Sequence, residues 1–265
     1  MEMAKDIREN IKNFLEKRDV PVLGIASAEI LNEKAPRGFR PKDMLEGAKS
    51  VIILGKPLPL GVFHTPQTMK NKFYTQAFST YYQTMNDTAI ALSIMLEQEG
   101  HISLPVPAYS PITFYDGEPR GLLSLKHAAV EAGIGIMGKN SLIIHPQFGN
   151  VLRFGGLITT MALTPDTPME DATLCPEKCE KCQKVCPVSA IDNGRIDKMK
   201  CMGNCISHVF IPPKMLLSPL KWMLSKSQML TNFMDLFTYN FFESYGIDCL
   251  ACLKACPRFP KGVKP

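Results

Sequence analysis

The chain has 265 residues, 45% of them hydrophobic, and a net charge of +5. It holds enough apolar material for a full core, and no apolar run reaches the ~18 residues that a membrane span needs. The charge is too mild to argue for a nucleic-acid partner by itself.

The start, MEMAKDIRENIKNFLEKRD, is charged and amphipathic with no apolar signal segment, so a cytoplasmic protein is expected. Ile7, Ile11, Phe14 and Leu15 share one helical face. Val20 to Ala26 predicts a strand, and Ser50-VIILG a buried strand ended by Gly55 and the prolines at 57 and 59. Phe73 to Gly100 is helical in period, with Gly100 as the stop. Gly117 and Pro119 break the chain, Leu122 to Ala132 predicts a second helix, and Ser141-LIIH and Val151 to Thr160 predict strands. The mixture lacks strict strand–helix alternation. It predicts an α/β or α+β sheet flanked by helices, not a purely parallel one.

Gly133-I-Gly135-IM-Gly138-Lys139-Asn140 matches the dinucleotide fingerprint and nearly matches the phosphate loop. Both need a strand before the glycines and a helix after them, so that a helix N-terminus meets phosphate. Here a helix leads in and a strand leads out, and Asn140 stands where a Ser or Thr would hold magnesium. The plain expectation is a helix C-cap at Gly133 followed by a tight loop.

All nine cysteines lie after residue 174. One run is Cys175-PEK-Cys179-EK-Cys182-QKV-Cys186-Pro187, the other Cys249-LA-Cys252-LKA-Cys256-Pro257, with Cys201 and Cys205 between. Each run ends in C-x3-C-P, the signature of segments that bind a pair of [4Fe–4S] clusters. The cysteine before the proline points away from its own cluster and ligates the other. One set is then Cys175, Cys179, Cys182 and Cys256; the other is Cys186, Cys249, Cys252 and either Cys201 or Cys205. Disulfides would require an oxidising compartment. Structural zinc would not explain the repeated ending. The expected division is an α/β cofactor or substrate domain over 1–168 and a two-cluster domain over 169–265.

HAAVEAGIGIMGKNSLIIHPQFGNVLRFGGLITT resembles the core motif of epoxyqueuosine reductases and, more distantly, of reductive dehalogenases. RPKDMLEGAKSVIILG resembles a strand of the same family, and the cysteine runs with an intervening cysteine after IDKMKC, which selects Cys201, resemble its cluster domain. The resemblance implies a nitroreductase-like sheet flanked by helices, joined to a ferredoxin-like domain with two [4Fe–4S] clusters. It implies a base-off cobalamin that the clusters reduce, and reduced ferredoxin or flavodoxin as electron donor. Gly135, Gly138, Lys139, Asn140, Ser141, Ile143 and Phe154 match positions that touch the corrin. Asp116, with Glu118 nearby, and Tyr81 and Tyr82 are the candidate proton donors.

The expected function is reduction of a small-molecule substrate. The alternative is a corrinoid-free electron-transfer protein serving a partner enzyme. Because the chain ends soon after Cys256, epoxyqueuosine reduction in tRNA ranks below both, and the expectation is against a nucleic-acid partner. Residues 206–246 form an insertion rich in Met and aromatics around Trp222. It is expected to be a helical lid, or a homodimer or membrane-surface contact through 208–245.

Overall fold

The protein is described from a computed structural model over residues 2–66, 70–109, 112–192, 194–207, 217–241, 246–247 and 249–261. In chain order the first elements are α1 (Glu2–Glu16), β1 (Val22–Ser27), α2 (Ala28–Lys34), α3 (Pro41–Met44) and β2 (Ser50–Pro57). A 3-10 turn (Leu60–Phe63) leads to the long α4 (Lys70–Gln98), closed by Gly100 at φ +85°. Then come β3 (Ser103–Val106), β4 (Ile112–Tyr115), β5 (Glu118–Gly121), α5 (Leu125–Glu131), β6 (Ile136–Met137), β7 (Ile143–Ile144) and β8 (Leu152–Thr159).

The main sheet has the order β1-β2-β8-β3, and every neighbouring pair is antiparallel. Residues alternate across it as a strand requires. Ile52 and Leu54 of β2 pack with α1 (Ile11, Leu15) and α4 (Met85, Leu92, Leu96), while Val51 and Ile53 pack with α2 (Leu31) and α5 (Leu125, Ala128, Ala129). The sheet is therefore sandwiched between helices, and its continuous apolar strands follow from burial on both faces.

Four details differ from the sequence expectation. β2 runs on through Pro57, which pairs with Leu152 at the end of the ladder, a place where a missing N–H is tolerated. The strand expected over 141–145 shrinks to Ile143–Ile144. The sequence SLPV forms β3 despite Pro105, because β3 is an edge strand. The segment broken by Gly117 and Pro119 is a hairpin, with Asp116 and Gly117 both at positive φ in its turn.

Beyond β8 the regular elements are short: α6 (Lys181–Lys184), the ladder β9 (Ile191–Asp192) with β10 (Arg195–Ile196), α7 (Lys198–Cys205) and β11 (Ile206–Ser207). Two helices follow, α8 (Leu217–Lys226) and α9 (Gln228–Phe241), then β12 (Gly246–Ile247), paired with β11, and α10 (Ala251–Ala255). Leu250 and Leu253 enter a third apolar cluster with Leu58, Phe63, Tyr74 and Val151, so the second cysteine run is packed onto the sheet end. Of the expected insertion, 208–216 and 242–245 lie outside the described residues. Within the rest, α8 lies against α7 and α9 against β4, with Trp222 and Met229 exposed.

Candidate redox site between the glycine loop and the cysteine runs

The glycine segment starts as a helix end. Gly133 N–H donates to the Val130 carbonyl and Ile134 N–H to the Ala129 carbonyl, with Gly133 at φ +64°. This double bond pattern closes α5 with a Schellman motif, as the expected C-cap requires. Gly135 and Gly138 serve a close approach: a Cβ at Gly135 would meet the Ile144 carbonyl, and one at Gly138 would lie 2.9 Å from Ile144 Cδ1. The two glycines let β6 and β7 fold back on each other.

The tip of that loop is tied to both cysteine runs. Lys139 Nζ donates to the carbonyls of Glu177 and Cys179 in the first run. Asn140, almost fully buried, donates to the Cys252 carbonyl at 3.3 Å in the second. Asn150 is 1% exposed and donates to the Leu253 carbonyl at 2.9 Å. Gly149 has φ +59°, and a Cβ there would strike the Arg258 carbonyl. Arg258 in turn donates to the Thr173 carbonyl at 2.6 Å, joining the two runs. Asn150, Gly149 and Arg258 were not singled out from the sequence. The signal was present in the phrase FGN, a glycine and an amide just before a buried strand.

The thiols form two neighbourhoods. Burial pushes the Cys182 thiol up, and Cys175, Cys179 and Cys256 push it further. Burial also raises Cys201, next to Cys249 and Cys186. Cys252 is pushed up to about 11 by burial and then by Cys201, Cys249, Cys182 and Cys186. Cys205 is pushed up to about 12, chiefly by burial, and its thiol donates to the Cys249 carbonyl at 3.4 Å. Among the described residues no three His, Cys, Asp or Glu side chains are arranged to hold a single metal ion. Grouped thiols that repel one another's negative charge suit a cationic iron–sulfur core, which takes several thiolates at once.

The corrin-contact residues stand elsewhere than expected. Ile143 and Phe154 are buried in the sheet's core cluster. Gly135 and Gly138 face β7, and Lys139 and Asn140 hold cysteine-run carbonyls. The Ser141 carbonyl accepts from Lys126 Nζ at 2.9 Å. These seven residues do not fit as the wall of a corrin site, because packing and docking already account for them.

The proposed acids divide as well. Asp116 is exposed at the hairpin turn at φ +52°. Glu118 is the embedded one, 2.7 Å from Lys221 Nζ and 3.9 Å from Lys198 Nζ. Tyr81 is half-buried, with Lys56 Nζ 5.8 Å from its ring centre. Tyr82 stacks on Tyr109 with ring centres 5.2 Å apart, and burial pushes its phenol up to about 12. It holds its proton firmly. Arg153 is buried on β8 and donates to the Tyr74 hydroxyl at 2.5 Å. Lys126 is solvent-exposed by area, yet its ammonium is pushed down to about 8 by poor solvation, then by Arg153 and Lys198.

No family model matches the chain. An epoxyqueuosine reductase of Bacillus anthracis is 30% identical over 169 residues, covering 62% of this chain and 41% of that protein. The chain is a relative of the epoxyqueuosine reductases. It spans about two fifths of the length of this Bacillus relative. An epoxyqueuosine reductase solved with an epoxyqueuosine-modified tRNA stem loop superposes with TM-score 0.57, at 22% identity, over 76% of this chain and 57% of that one. A catabolic reductive dehalogenase superposes with TM-score 0.53, at 16% identity, over 73% of this chain and 28% of that one. These likenesses establish for this epoxyqueuosine reductase relative a mixed α/β fold with small antiparallel sheets. The expectation against a nucleic-acid partner finds no support, since a solved relative was captured with a tRNA stem loop. No helix among the described residues is long and apolar enough to cross a membrane.

Proposed function

We propose that the protein is an iron–sulfur oxidoreductase. Residues 1–168 form the substrate part and residues 169–265 a ferredoxin-like part. Cys175, Cys179, Cys182 and Cys256 hold one [4Fe–4S] cluster, and Cys186, Cys201, Cys249 and Cys252 hold the other. The observation that carries this is the double docking of the glycine loop: Lys139 and Asn140, adjacent in sequence, grip one cysteine run each. A rigid joint of this kind keeps the electron carriers at a set distance from the sheet of the substrate part. Reduced ferredoxin or flavodoxin supplies the electrons in a cytoplasmic setting. The family resemblance also implies a cobalamin, which would add cobalt-centred reduction of the substrate. Reduction of epoxyqueuosine in tRNA is a reading of equal standing with a small substrate, supported by the named relatives.

The chain's own residues then bind, shield and supply protons. Tyr82, neutral across the working range, serves as a hydrogen-bond donor. Glu118, held between Lys221 and Lys198, is the embedded carboxyl that can move a proton.

One anaerobic sample tests the proposal by iron, sulfide and cobalt analysis. Two cubanes require about eight irons and eight sulfides per chain. Zinc in place of iron, or an iron count near zero after reconstitution, overturns it. Stoichiometric cobalt would show that a corrinoid binds and would return the seven residues named above to its candidate contacts.

A further inference from the structure

The first cysteine run carries many charges of its own, and they stand in solvent. Glu177, Lys178, Glu180, Lys181 and Lys184 are exposed, and Lys184 pairs with Glu180 at 3.0 Å. Charges so placed are screened by salt and act weakly on their surroundings. Lys139 is different. It is half-buried and comes from the glycine loop, and its Nζ donates to the backbone carbonyls of Glu177 and, at 3.2 Å, Cys179. Among the described residues no carboxylate lies within ion-pair distance of it. Its positive charge is therefore brought to the run and left without a counter-charge there.

The loop fixes where that charge sits. Gly138 N–H donates to the Leu142 carbonyl and Ser141 N–H to the Gly138 carbonyl, both at 2.8 Å. These bonds close a turn around Lys139, with Ser141 at φ +53° in the left-handed region. Asn140, the next residue, is tied to the Cys252 carbonyl. The backbone under the lysine is held on both sides, so the ammonium stays on a residue whose thiol is assigned to the first cluster.

We propose that Lys139 sets the reduction potential of the cluster held by Cys175, Cys179, Cys182 and Cys256. The inference rests on the cluster reading above. Reduction moves one electron from the donor protein onto a core that four thiolates already make anionic. A fixed cation in a partly desolvated place stabilises the added negative charge and so raises the potential. Asn140, on the second run, is neutral and supplies no such charge. The second set has a cation of its own, since Lys126 acts on Cys201, so the inference concerns the first cluster and not the order of the two.

The test is an anaerobic redox titration of the full cluster-loaded chain read by electron paramagnetic resonance, with iron and sulfide counted on every sample. Lys139→Gln keeps an N–H donor and loses the charge. One midpoint is expected to fall by about 59 mV, a tenfold drop in the reduced-to-oxidised ratio at fixed potential, while the other holds. Lys139→Arg keeps the charge and is expected to stay within about twofold of the parent ratio. Unmoved midpoints in Lys139→Gln at full iron content overturn the inference, and so does an equal fall of both. If Lys139→Gln does not retain the first cluster, Lys139→acetyl-lysine, neutral with an N–H at similar reach, is read in the same way. Loss of the first cluster in both neutral variants, with retention in Lys139→Arg, makes the lysine a docking residue only and also overturns the inference. A parent chain that takes up no iron sinks the cluster reading itself, whereas full iron with unmoved midpoints sinks the role of Lys139 alone.

Discussion

The sheet and the cysteine runs are stabilised in opposite ways. β2 is paired on both edges and packed on both faces, with Ile52, Ile53 and Leu54 fully buried. The segment after β8 has helices of four to fourteen residues and, among the described residues, no apolar cluster made from that segment alone. Its thiols lean on one another, and its carbonyls lean on side chains of the glycine loop. One region carries its own core. The other needs an inorganic core and a neighbour, as small metal-dependent modules do.

The comparison can be broken first at a ligand. Cys182→Ser should cost one cluster, about four of eight irons, while the sheet stays folded by amide exchange. Loss of sheet protection to the same degree would show that the two regions are not distinct. Next, Leu54→Ala should destabilise the sheet by about 2–5 kcal/mol in chemical denaturation and leave the iron content of the folded protein unchanged. A fall in iron there would mean that the core of the sheet also builds the cluster sites.

The joint should respond more mildly, and in both regions. Gly149→Ala places a side chain at φ +59° against the Arg258 carbonyl. It should cost about 2 kcal/mol or more, with faster amide exchange in α10. Asn150→Ala removes a buried amide from the Leu253 carbonyl and should cost about 1–2 kcal/mol. Unchanged exchange in α10 in both variants would show that the loop does not hold the run.

The smallest effect is a titration. Burial lowers the pKa of His145, whose Nδ1 accepts from the N–H groups of Gln147 and Phe148 at 3.0 and 3.2 Å. Its folded pKa lies below the unfolded value near 6.5, so the folded state binds fewer protons between the two. Its contribution to stability is present above about pH 6.5 and is lost as the pH falls through the folded pKa. Imidazole resonances that titrate at or above 6.5 would contradict the turn geometry.

Much of this was legible in the chain. The apolar periods marked α1, α4, α5, β1, β2 and β8, and the positive-φ glycine stops at Gly100 and Gly133 sit where the pattern ended. The edge strand β3 and the hairpin β4–β5 were hidden because Pro105, Gly117 and Pro119 are loop signals by local rules. An edge position and a turn make them tolerable. Lys139 illustrates the same limit in the site. A lysine beside glycines suits an anion, and only its placement shows that it meets two carbonyls.

The sequence by itself determined the local items: periodicity, helix ends, and the cysteine spacings that name a cluster-binding chemistry. Those depend on neighbours a few residues apart. Which side chains meet across the chain was decided by the tertiary structure. Asn140 reaches residue 252, Asn150 reaches residue 253, and Glu118, Lys198 and Lys221 come together from three separate elements. Lack of solvation and the absence of a partner are properties of a packed interior, and no spacing along the chain encodes them.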